Sequence, residues 1–380
     1  MNNQSVKPRL KWVDTAKGIC IILVILYHTT EHIMDLSPAI RDMLRATRMP
    51  LYYTIAGLFV SIKSPQLFLN KKINRLIIPF CFFILLGNMV GYVKSLIENT
   101  DFTYFSPLYY VITGDAAGKF INSPVWFLFS LFDVYLIFMF IEKLSTYFSK
   151  YKILAKLTLT LLAGFCGIRC NRMGIDLPFF LDSSLTATPF LIFGHIIMSR
   201  TYFFKKDYNR VIYLSLSLVM IGTALFTASG DIDYRINNFK TSLFHIYFPA
   251  FMGVVGILMF TKVIGTIPII TKIGRYSIVY LGTHYLFFKD LRLFFETHIS
   301  QQQVILIDLL TFSCSVIISM VLCWILLKTV PYLIAQKDIV YIGNIEKLQQ
   351  RWWWITSNYH HFDLTNKNNL VIFMAHLTNT

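Results

Sequence analysis

Apolar residues recur along the chain in blocks near membrane-spanning length, separated by short polar connections. A helix needs roughly 17 to 25 predominantly apolar residues to cross the hydrocarbon core of a bilayer. Such blocks fall near residues 18–34, 49–62, 76–97, 124–141, 153–169, 184–199, 211–228, 243–261, 277–295 and 304–327. The pattern predicts an all-α, polytopic integral membrane protein with about ten transmembrane helices. No Pro/Gly/Ser-rich linker interrupts the blocks, so residues 1–330 read as one membrane domain. Residues 331–380 read as a cytoplasmic tail, in which Trp352, Trp353 and Trp354 behind Arg351 suit an interfacial segment. Met1 to Lys17 is polar and basic and leads into an apolar block without a small-residue cleavage site, so the first span is expected to stay uncleaved.

Composition agrees with this pattern. Only 14% of the 380 residues are charged and 55% are hydrophobic, whereas soluble domains carry roughly a quarter charged residues. The formal net charge of +15 does not point to nucleic acid, because the basic residues sit in short clusters between apolar blocks. Lys17, Lys71, Lys72, Arg75, Lys272 and Arg275 fall on the side of the N-terminus. The positive-inside rule then predicts that both termini are cytoplasmic. Cys20, Cys81, Cys314 and Cys323 lie inside apolar blocks, and Cys166 and Cys170 lack the paired spacing of a zinc site, so neither a disulfide framework nor a metal is expected.

Ionisable side chains inside spans are costly and mark functional positions. His28 lies ten residues beyond Gly18, about 15 Å along a helix. Glu31 and His32 follow at the spacing that places side chains on one helix face, which would let a carboxylate orient the imidazole. His284 in the ninth block and Asp133 in the fourth reach a similar depth, either lining a shared polar cavity or satisfying one another between helices. A second group, Lys17, Lys71, Lys72 and Arg75, gathers at the cytoplasmic surface. It reads either as an anion-binding cluster or as ordinary positive-inside anchoring.

Several motifs carry a resemblance. Trp12-Val13-Asp14-Thr15-Ala16-Lys17-Gly18-Ile19 running into His28, then Met49-Pro50-Leu51-Tyr52-Tyr53 ending in Ala56-Gly57, occur in order. Lys72-Ile73-Asn74-Arg75-Leu76 with Pro79, Pro124-Val125-Trp126-Phe127-Leu128, and Ser277 to His284 follow. Together, over about residues 8 to 328, they resemble the membrane acyltransferase 3 family. Lys17 and Lys72 stand where many members carry Arg, and fucose 4-O-acetylase-like members accept lysine at the first of these positions. The resemblance implies an O-acyltransferase of the bacterial inner membrane. It implies transfer of an acyl group, commonly acetyl from acetyl-CoA, to a sugar hydroxyl of an envelope polysaccharide or its lipid-linked precursor.

On that reading Lys17, Lys72 and Arg75 are expected to hold the donor's phosphates. His28 is expected to act as general base with Glu31 as its partner. His284 or Trp126 is expected to stabilise the oxyanion, and Arg48, at the outer entrance of the second block, to meet the glycan. A transporter or flippase of an envelope precursor is the alternative, because proton-coupled carriers also place His and Asp at mid-membrane depth.

Overall fold

The computed structural model describes residues 10–102, 111–112, 122–198, 208–230 and 232–340. All of these but Val340 belong to one compact unit, which runs to Ile339. The tryptophan cluster at 352–354 lies outside the described residues.

The unit is helical. Helix α1 covers Lys11–Thr29, α2 Glu31–Leu36 and α3 Pro38–Leu58. Helix α4, Pro65–Lys72, passes through a π turn at Ile73–Ile77 into α5, Ile78–Glu98. A single 3-10 turn at Ser123–Val125 opens α6, Trp126–Thr146. Then come α7, Lys152–Arg172, and α8, Leu181–Phe193, which ends in a π turn at Gly194–Met198. Helix α9, Arg210–Thr227, is joined to α10, Leu243–Ile264, by a short antiparallel hairpin of β1, Ile232–Asp233, and β2, Asn238–Phe239. Helices α11, Pro268–Arg275, α12, Ser277–Thr283, α13, Phe288–His298, and α14, Val304–Thr329, complete the unit.

Among the described residues, eight helices are long and apolar enough to cross a membrane. The blocks predicted at 49–62 and 277–295 are the two that do not meet that criterion, and each has a physical reason. The second span starts well before its apolar block, at Pro38, and its first half carries Arg41, Asp42, Arg45 and Arg48. The ninth is broken, with α12 ending at Thr283 and α13 beginning at Phe288. Both departures fall on the helices that build the polar site.

Close backbone approach fixes the position of α1. A side chain at Gly274 would collide with the carbonyl oxygen of Asp14, and one at Gly18 with that of Ile270, so α1 and α11 pack backbone against backbone. Around this pair lies a core whose largest fully buried side chains include Tyr53, Phe83, Phe138 and Phe190. Val211, Leu218, Val219 and Phe226 on α9 are exposed, as expected of a helix face that lipid covers.

The end of α1 sits in a buried polar network. Thr29 and Thr30 donate their hydroxyls back to the carbonyls of Ile25 and Leu26, at 2.9 and 2.7 Å, and the helix stops. Arg292 on α13 donates to the Thr29 carbonyl at 2.9 Å, pairs with Glu31, and lies 3.3 Å from Asp308 on α14. Asp308 also accepts from the backbone N–H of Ile33 at 2.8 Å and meets His32 Nδ1 at 3.0 Å. Four elements are thereby tied together directly behind His28.

Candidate active site

Two cavities lie within the helical unit. The first, of about 380 Å³, is lined by Tyr27, His28, Arg45, Arg48, Trp126 and Tyr285, with the hairpin residues Asp233, Tyr234 and Arg235 closing one side. The second, of about 450 Å³, is lined by Lys17, Lys71, Lys72, Arg75, Tyr135 and Arg275, with Ala335 and Gln336 from the segment after α14. Leu281 lines both cavities. The consecutive residues Trp126 and Phe127 face different ones, Trp126 the first and Phe127 the second. Lys17 and His28 both stand on α1, eleven residues and about 16 Å apart along the helix.

His28 occupies the last turn of α1. Its ring centroid lies 5.6 Å from that of His284 and 5.4 Å from those of Tyr27 and Tyr285. His284 is buried just past the end of α12, and its Nδ1 lies 2.9 Å from the Tyr280 carbonyl. A carbonyl only accepts, so Nδ1 carries the proton and the neutral ring keeps a lone pair on Nε2. That Nε2 is buried without a hydrogen-bond partner. The tautomer makes neutral His284 a proton acceptor, not the oxyanion donor expected from sequence. The break between α12 and α13 is held by Asn122, whose Nδ2 donates to the Gly282 carbonyl at 2.8 Å and to the Phe83 carbonyl at 3.3 Å.

The structure does not bring Glu31 to His28. The helix ends between them, Glu31 begins α2, and its carboxylate is exposed and paired with Arg292. A face relation at i and i+3 holds only within a continuous helix, and the stop at Thr30 removes it. Asp133 lines neither cavity and keeps a buried Oδ2 without a hydrogen-bond partner.

The other expected residues are gathered as two groups. Arg48 lies on the first cavity, with its guanidinium carbon 3.5 Å from the Tyr27 ring centroid, and Trp126 faces the same space. In the second cavity the Lys72 ammonium lies 3.3 Å from the Tyr135 ring centroid, a cation–π contact that fixes an otherwise mobile side chain. Arg75 donates to the Ala335 carbonyl, and its Nη2 lies 3.4 Å from Asp338. Residues 331–339, assigned from sequence to a tail, therefore pack against the membrane unit and help line this cavity.

The hairpin was not anticipated. Asn237 takes a left-handed backbone, with φ of 47°. Its side chain donates to the Gly167 carbonyl and accepts from Thr186, both at 2.8 Å, so the hairpin is fastened to α7 and α8. The alternating Ile232, Tyr234 and Ile236 ahead of Asn237-Asn238 was the available signal. Arg292 and Asp308 were also missed, because nothing local pairs residues so far apart in sequence.

Comparison with protein families matches the acyltransferase domain model over residues 10–328. Neither the curated proteins nor the solved structures give a match. The match takes in every helix described above but the last residue of α14, and the chain belongs to the acyltransferase 3 family as a multi-pass membrane acyltransferase.

Proposed function

We propose that the protein moves an acyl group, acetyl in the simplest case, from coenzyme A to a sugar hydroxyl of a cell-envelope glycan or its lipid-linked precursor. The observation that carries this reading is the pair of cavities meeting at Leu281, one rich in lysine and arginine and the other holding His28. Lys17, Lys71, Lys72 and Arg75 supply the separate cations that a donor with several phosphate groups requires. The pantetheine arm would enter from this side and pass Leu281 to present its thioester to His28. The Lys17 side would face the cytoplasm of the bacterial cell, where coenzyme A thioesters are made, and the membrane would be the inner one with both termini cytoplasmic.

The chemistry needs one proton acceptor and one entry path for each substrate. His28 takes the proton of the acceptor hydroxyl as its oxygen attacks the thioester carbonyl. Collapse of the tetrahedral intermediate breaks the carbon–sulfur bond and forms the ester. The proton on His28 then leaves with the departing thiolate. His284 packs its ring beside His28, and Trp126, a pure donor, lines the cavity in which the oxyanion develops.

Two variants separate binding from chemistry in a detergent assay of thiol release from acetyl-CoA. Lys17→Ala is expected to raise KM for the donor about ten-fold with kcat nearly unchanged, the loss of one charge-assisted contact. An unchanged KM would remove Lys17 from the donor site. Leu281→Trp enlarges the side chain that lines both cavities, so transfer is expected to fall while coenzyme A affinity in equilibrium binding stays the same. Full activity in that variant would mean that the acyl group takes another route.

A further inference from the structure

We infer that the His28 cavity seats an acceptor carrying a carboxylate or phosphate group close to the hydroxyl that is acylated. This rests on the acyl-transfer reading and names the substrate class for the same site. Among the described residues, three arginines line the cavity, Arg45 and Arg48 from one face of α3 and Arg235 from the hairpin, together with one carboxylate, Asp233. Asp233 is already committed to the hairpin. It accepts from the Arg235 backbone N–H at 2.9 Å and lies 3.5 Å from the Arg235 guanidinium, whose other arm donates to Ser123 at 3.2 Å. The nearby carboxylates of Asp42 and Glu31 pair with Arg41 and Arg292 and line neither cavity. Arg48 thus brings positive charge to the α3 side of the cavity.

That charge is held in place around Tyr27. Arg45 Nε donates to the Tyr27 hydroxyl at 2.7 Å, and Arg48 lies over the Tyr27 ring. Nη1 of Arg48 is buried and has no hydrogen-bond partner within the protein. A guanidinium is a planar fork of donors that matches the two oxygens of a carboxylate or phosphate, and a buried unpaired donor is costly until such a group arrives. A neutral sugar offers no charged oxygen to such a donor. Tyr27 immediately precedes His28, so an anion held by Arg45 and Arg48 would leave the neighbouring part of the acceptor beside the imidazole.

The test is calorimetric titration of the full-length protein in detergent, with coenzyme A saturating the Lys17 cavity so that its cations cannot take up the probe. Glucuronate, glucose and inorganic pyrophosphate are the probes. At least one anion is expected to bind about ten-fold or more tightly than glucose. Arg48→Gln is expected to erase that margin, Arg48→Lys to keep part of it, and Asp233→Asn to widen it. Preference for glucuronate identifies an acidic sugar, and preference for pyrophosphate identifies the diphosphate of a lipid-linked precursor. Equal binding of all three probes, or an anion preference that survives Arg48→Gln unchanged, overturns the inference. Absence of thioester loss from acetyl-CoA would instead overturn the acyl-transfer reading and leave the binding result standing.

Discussion

Replacing His28 by alanine is expected to lower acyl transfer by about a thousand-fold, within the range that a positioned general base contributes. The variant should remain folded, because His28 is only partly buried and borders an existing cavity. His284 is not expected to compensate. Its unprotonated Nε2 is buried and its ring does not line the cavity, so it has no direct access to an acceptor hydroxyl. Thiol release from acetyl-CoA measures the rate, and a thermal melt of the same preparation checks the fold. A loss of less than about ten-fold with an unchanged melt would take His28 out of the chemistry.

The second large effect is expected from Arg292→Met, and it is one of stability. Arg292 joins Glu31, the Thr29 carbonyl and Asp308, and Asp308 is fully buried at 0% exposure. Removing the cation leaves that carboxylate with His32 and a single backbone N–H. Breaking one partner of a buried pair costs about 3–5 kcal/mol. The thermal midpoint in detergent should fall by several degrees, and Arg292→Met combined with Asp308→Asn should recover part of the loss, since the stranded charge is then removed as well. Equal melting of the wild type and Arg292→Met would mean that the network does not hold the end of α1.

Much of the site was legible because membrane sequences make polar residues conspicuous. His28, Arg48 and Trp126 were singled out as polar or aromatic landmarks in and beside apolar blocks, and the structure places all three on one cavity. Lys17, Lys72 and Arg75 were singled out as cations at span entrances, and they share the other. The level of His284 was also legible from its depth in the ninth block, and its ring does lie beside that of His28. Its protonation pattern was not, because that depends on the contact of Nδ1 with the Tyr280 carbonyl one turn back in the chain.

The misreading of Glu31 has a single physical cause. Periodicity was extended through Thr30, where two threonine hydroxyls bond back to the preceding turn and the helix stops. The partner of Glu31 is Arg292, an interaction across 261 residues that no local pattern encodes. The hairpin carrying Asp233 and Arg235 was hidden for a related reason. Its strands are two residues long and are held by Asn237 contacts to α7 and α8, not by an extended ladder.

The most direct test of the central claim, that His28 carries acyl transfer to an envelope glycan, is made in the cell. A deletion strain is complemented with the wild type or with His28→Ala, protein levels are matched by immunoblot, and the purified envelope polysaccharide is read by proton NMR for O-acyl signals. The account predicts ester signals with the wild type and none with His28→Ala at equal abundance. Ester signals of equal intensity in both strains would contradict it.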